Sequence, residues 1–65
     1  MEKKYFKMLV EKQDNVFVGV CYVHQKLFIA FGDCLERLQS AMRVFELHGK
    51  ERIHPGLVEF EVEYV

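Results

Sequence analysis

The chain has 65 residues, of which 51% are apolar, and its formal net charge is −1. This composition excludes a disordered chain, and without a basic excess direct DNA binding is not expected. Apolar runs also stay well short of the ~18 residues of a membrane span. Because a single domain of this size has a small core, we expect a homodimer or a higher oligomer to supply additional stability.

The two cysteines, Cys21 and Cys34, are too few for a framework of disulfides, but they bear on the redox compartment of the protein. The N-terminal stretch MEKKYFKMLVEK lacks the apolar segment of a secretory signal. We therefore expect reduced thiols and a cytoplasmic location.

Three strands are predicted in the first half of the chain. In residues 5–11 Phe6, Met8 and Val10 alternate with Tyr5, Lys7, Leu9 and Glu11, a period of two. Asp and Asn at positions 14 and 15 then favour a tight turn into a second strand, residues 16–23. The polar stretch His24-Gln25-Lys26 predicts a second hairpin, and the apolar run at residues 27–31 predicts the third strand.

A helix is predicted over residues 33–48. Asp33 is a favourable N-cap, Glu36 completes a capping box, and Gly49 is placed to end the helix in a left-handed conformation. The apolar side chains recur at helical spacing on one stripe, formed by Leu35, Leu38, Ala41, Met42 and Phe45.

The last strand is predicted at residues 57–65, after the Pro55-Gly56 turn. It alternates apolar residues with Glu59, Glu61 and Glu63, as a half-buried strand with an acidic outer face does. The fold class is therefore α+β: a single small domain of order βββαβ, with a mostly antiparallel sheet and one helix packed on one face, reached by a right-handed crossover.

The second and third strands carry apolar side chains for both sheet faces, although one helix covers only one face. A contiguous exposed apolar patch generally marks an interface. We predict a binding surface that uses the helix-free face and an edge strand, with candidate contact residues Phe17, Phe28, Arg37, Arg43 and Leu47. The alternative is a monomer that exposes a few hydrophobic side chains.

The segment Gly32-Asp33-Cys34-Leu35-Glu36, placed after three strands, resembles the HicB-like antitoxin domain. In that family a Gly-Asp-Thr-Leu-Glu stretch leads into the helix of a ββ(β)αβ domain, and Cys34 stands here where the family has Thr. The resemblance implies a non-catalytic protein that occludes a partner, usually a small ribonuclease toxin. The chain leaves no room for the C-terminal DNA-binding module of such antitoxins, so repression of an operon is not implied. A solitary domain of this kind fits an orphan antitoxin or an inhibitor carried by a phage or mobile element.

Catalytic and metal-binding residues are not expected. Cys21 and His24 have a metal-ligand spacing, but they should point to opposite faces of an extended strand. Cys34 opens a helix, where a thiol pKa can fall, yet nothing in the spacing supplies the base that nucleophilic catalysis needs. We therefore predict no enzyme activity and no cofactor.

A second function remains open: sequestration of a small nucleotide-like ligand at a subunit interface. Basic side chains at Lys26, Arg37, Arg43 and Arg52 could ring an anion there. Gly32 opens the helix without a glycine-rich phosphate loop, so this interpretation ranks below occlusion of a protein.

Overall fold

The computed structural model describes residues 2–65. Three strands come first: β1 (Lys4–Gln13), β2 (Val16–Val23) and β3 (Lys26–Gly32). A continuous helical run follows, made of α1 (Leu35–Ala41), a π-helical segment (Met42–His48) and the short α2 (Gly49–Glu51). A 3-10 turn (Pro55–Leu57) leads into β4 (Val58–Tyr64). The predicted α+β class and the order βββαβ are confirmed.

The four strands form one mixed sheet in the order β3-β2-β1-β4. The β1–β2 and β2–β3 pairs are antiparallel, whereas β1 and β4 are parallel. The parallel pair follows from the helical crossover, which returns the chain to the far side of β1. This order leaves β3 and β4 as the two edges of the sheet.

Two-residue turns connect the first three strands. The backbone is left-handed at Asp14, where φ is 55°, and at both His24 and Gln25, where φ is 51° and 64°. Two successive left-handed residues are typical of the turn that matches strand twist in a tight hairpin. Lys26, which the sequence placed in the turn, is instead the first residue of β3.

The core lies between the helical run and one face of the sheet. Its buried side chains come from every strand, from the helical run and from the loop that follows it: Met8, Val10, Cys21, Val23, Phe28, Ala30, Leu38, Met42, Leu47, Ile53 and Val58. The close approach of the helix to the sheet depends on two glycines that lie against Leu38. A Cβ on Gly19 would lie 2.9 Å from Leu38 Cδ1, and a Cβ on Gly32 would lie 2.5 Å from the Leu38 backbone nitrogen.

Both predicted helix ends are wrong. The N-cap is Cys34, with φ of −151°, and its side chain makes no capping hydrogen bond within residues 2–65. The Asp33 carboxylate instead accepts a hydrogen bond from Arg37 Nη1 at 2.9 Å. Gly49 is helical, with φ of −63°, and the left-handed residue that ends the run is Arg52, with φ of 59°. The Arg52 amide closes the helix on the His48 carbonyl.

The predicted apolar stripe is correct as far as Met42 and wrong at Phe45. Leu47 is fully buried, whereas Phe45 is 71% exposed. The cause is the π-helical segment, whose i→i+5 hydrogen bonds widen each turn and so shift the inward position further along the chain. The next inward position after Met42 therefore falls at Leu47.

Candidate interaction surface

The sheet face opposite the helix, called the open face here, is apolar over β2 and β3. Strand alternation turns one set of side chains towards the helix and leaves the other set outside. The outer set consists of Val16, Val18, Val20 and Tyr22 on β2 and of Leu27, Ile29 and Phe31 on β3. Tyr22 and Phe31 are 69% and 62% exposed. Together these side chains form a contiguous apolar surface, because Val18 pairs with Phe31, Val20 with Ile29 and Tyr22 with Leu27.

The other half of the open face, over β1 and β4, carries lysines and glutamates beside the exposed Tyr5 and Leu9. Glu59, Glu61 and Glu63 on β4 pair in register with Tyr5, Lys7 and Leu9 on β1. Lys3 Nζ donates to Glu59 Oε1 at 2.8 Å, and Lys7 Nζ lies 3.7 Å from Glu63 Oε2. The hydrogen bond to Lys3 lowers the pKa of Glu59, and the same contact raises the pKa of Lys3.

The two sheet edges also differ in charge: the β4 edge is charged and the β3 edge is mostly apolar. The β4 edge carries the three glutamates, and charged side chains discourage another strand from pairing there. The β3 edge reads KLFIAFG, with its one charge at the first residue. Within residues 2–65, β3 pairs with β2 alone, so its outer side presents unpaired backbone groups next to the apolar half of the open face.

None of the five predicted contact residues lies on the open face. Phe17 is half-buried on the helix side of β2, with Lys12 Nζ 5.5 Å from its ring centroid. Phe28 and Leu47 are core residues, so their assignment as surface contacts is wrong. Phe28 shares the inward face of β3 with Ala30, and the π-helical segment turns Leu47 inward.

The two predicted arginines belong to the helical run. Arg37 is exposed and paired with Asp33, whereas the Arg43 guanidinium lies 5.3 Å from the ring centroid of Phe60 on β4. Stacking on an aromatic ring occupies one face of a guanidinium, so Arg43 helps to cover the helix side of the sheet.

Sequence reasoning missed the residues that form the apolar surface because both faces of β2 and β3 are apolar. One signal could have separated the faces. Gly19 and Ala30 are small, and they alternate in phase with Cys21 and Phe28. Small side chains mark the face that a helix approaches closely, which leaves the set containing Val20, Tyr22 and Ile29 outside.

An ion-pair cluster fixes the β2–β3 hairpin to the end of the helical run. Glu51 accepts hydrogen bonds from Lys26 Nζ at 3.0 Å, and His24 Nδ1 lies 2.9 Å from its other carboxylate oxygen. The Glu51 side chain is only 10% exposed. Its pKa is lowered mainly by the hydrogen bonds from His24 and Lys26. Lys26, one of the basic residues predicted to surround an anion, is therefore paired with Glu51 within the chain.

The cysteines occupy different environments. Cys21 is buried, and desolvation raises the pKa of its thiol to about 11, so it is a packing residue rather than a nucleophile. Cys34 is an exposed free thiol. Among residues 2–65, no three His, Cys, Asp or Glu side chains converge on a metal-sized site. No helix in the same range is long and apolar enough to cross a membrane.

The fold and surface place the chain in the broad class of small α+β domains with an uncovered sheet face. Comparison with family models, curated proteins and solved structures gave no match to the chain.

Proposed function

We propose that this chain is a non-catalytic binding protein that occludes a partner protein through the apolar half of its open face. The supporting observation is the contiguous apolar set on β2 and β3, in which Tyr22, Leu27 and Phe31 are the most exposed side chains. An exposed apolar area bordered by charged residues is typical of a protein-binding surface.

The surface combines two features of protein-binding sites: large exposed aromatic side chains and a polar rim. Tyr22 and Phe31 are large, exposed aromatic side chains, a type that often dominates binding energy. The lysines and glutamates of β1 and β4 border them as a polar rim. The strand backbone fixes where these side chains leave the sheet, so binding has to order their rotamers but not the chain that carries them.

The HicB-like resemblance at Gly32-Asp33-Cys34-Leu35-Glu36 makes the partner a toxin-like ribonuclease or a host defence factor. The order βββαβ is the order that this resemblance implies. In this proposal the protein acts in the cytoplasm, and a phage or mobile element is a fitting source.

The test is capture followed by inhibition. Tagged wild-type protein should retain a specific partner from its host's cells and suppress that partner's activity at a fixed ratio of chains to partner. Tyr22→Lys should reduce affinity by at least about 100-fold, as the loss of a central aromatic contact does (~3 kcal/mol). Ser40→Lys adds the same charge on the exposed side of α1 and should bind like the wild type.

Two results would contradict the proposal. One is equal capture by wild type and Tyr22→Lys, which would remove the open face from the interface. The other is a captured protein whose activity is unchanged by excess wild-type chain, which would remove occlusion as the function.

A further inference from the structure

We infer that the β3 edge joins two copies of this chain, by antiparallel pairing of β3 with β3, into one eight-stranded sheet. The inference goes beyond the proposed function, because it assigns the edge to self-association and the open face to the partner.

The β4 edge is protected and the β3 edge is not. Pairing β4 with a second β4 would bring rows of glutamates together, and like charges placed opposite each other destabilise a strand pair. Between Lys26 and Gly32 the β3 edge has no charge and no proline, the usual devices that block strand addition. A long apolar edge of this kind is a template for another strand.

The sequence of β3 is self-complementary in one register. When two identical antiparallel strands pair about a two-fold axis, opposite residue numbers have a constant sum. A sum of 58 centres the axis on Ile29 and pairs all seven residues, from 26 with 32 to 32 with 26. The neighbouring even sums, 56 and 60, pair only residues 26–30 or 28–32, which is five residues.

The same register matches side chains on both faces. On the open face Ile29 meets Ile29 of the second copy, and Leu27 meets Phe31. On the helix side the large Phe28 meets the small Ala30. Cross-strand pairs of branched and aromatic side chains stabilise a sheet. At each end Lys26 comes opposite Gly32 of the second copy, and Lys26 keeps its ion pair with Glu51.

Pairing of this kind has a consequence for the open face. The apolar halves of two open faces would join across β3, while the charged β1 and β4 strands would stay at the outer ends. The partner proposed above would then meet a surface of twice the width.

Disulfide trapping tests the register directly. In a Cys34→Ser background, which leaves only the buried Cys21, Ile29→Cys places two thiols opposite each other, one on either side of the two-fold axis. Leu9→Cys is a matched control, because Leu9 is 40% exposed and Ile29 is 45% exposed on the same face. Under mild oxidation at about 100 µM, Ile29→Cys should form a covalent dimer at least about tenfold faster than Leu9→Cys, since opposed thiols react as a preorganised pair.

Mixing two different cysteine variants tests which residues of the two β3 strands lie opposite each other. Leu27→Cys mixed with Phe31→Cys should give the heterodimer in preference to either homodimer, as a sum of 58 requires. By sedimentation, Ile29→Lys should be a monomer and Leu9→Lys a dimer. Equal trapping at positions 9 and 29, preference for either homodimer in the mixture, or a wild-type monomer at about 100 µM would overturn the inference. Loss of partner capture alone would not, since capture tests the open face.

Discussion

Single glycines decide how closely the helix approaches the sheet. The Cβ of an alanine at position 32 would lie 2.5 Å from the Leu38 nitrogen and 2.8 Å from its Cα. Those atoms belong to the first turn of α1, so the clash is relieved only by moving the helix. Gly32 is therefore a packing residue, and its place before the helix does not reflect a phosphate loop.

Gly32→Ala should lower the free energy of unfolding by about 3 kcal/mol, the upper part of the range for overpacking a core. Gly49→Ala is the matched control. Gly49 is helical, and its added Cβ would meet only the Val44 carbonyl oxygen at an ordinary 3.5 Å. It should raise stability by about 0.5–1 kcal/mol. Denaturant unfolding of both variants checks the pair, and a destabilised Gly49→Ala would restore Gly49 as a left-handed terminator.

The Glu51 cluster predicts a specific response to acid. The pKa of Glu51 is lowered below its ordinary value of 4.5 by its hydrogen bonds from His24 and Lys26. A carboxylate with a lowered pKa in the folded state contributes stability above its unfolded pKa and loses that contribution as the pH falls through the folded value.

Between about pH 5 and pH 3 the melting temperature of the wild type should therefore fall more steeply than that of Glu51→Gln. Glu61→Gln serves as the control, since Glu61 is exposed on β4, and it should follow the wild-type slope. Identical slopes for wild type and Glu51→Gln would show that the cluster does not contribute to stability.

At the scale of elements, the π-helical segment is the feature that sequence periodicity did not reveal. The predicted stripe assumes 3.6 residues per turn, and Leu35, Leu38 and Met42 satisfy it. Beyond Met42 the backbone widens, and the inward position moves from Phe45 to Leu47. The periodicity of the sequence does not show this change, because Phe45 fits the 3.6-residue repeat and Leu47 does not.

Alanine substitutions distinguish the two helix geometries. Leu47→Ala should cost about 2–5 kcal/mol, as the loss of a fully buried leucine does. Phe45→Ala should change stability by less than about 0.5 kcal/mol, because the ring is mostly exposed. Thermal or denaturant unfolding gives the order of the two effects. The reverse order would mean that a regular α-helix continues through Phe45.

The sequence predicted the positions of the strands more accurately than the ends of the helix. The segment VFVGVCYV predicts β2 because branched and aromatic residues favour an extended backbone, and the structure gives Val16–Val23. Helix ends depend on single hydrogen bonds. At Asp33 the competing contact with Arg37 takes the carboxylate that a cap would have used.

At the scale of the whole molecule, the sequence predicted an uncovered face but not which residues form it. The order βββαβ and the single helix require one free sheet face. Assigning Phe17 or Val18 to that face requires the phase of each strand, and apolar residues on both sides conceal that phase. The account that results divides the surface: the open face binds the partner and the β3 edge binds a second copy.

Native mass spectrometry of protein purified with its partner tests this division most directly. The account predicts a complex with two 7.8 kDa chains and bound partner. Tyr22→Lys should keep the pair of chains and lose the partner, whereas Ile29→Lys should lose the pairing of chains. Ser40→Lys should match the wild type. A single 7.8 kDa species for the wild type, or loss of the paired chains in Tyr22→Lys as well as in Ile29→Lys, would contradict the account.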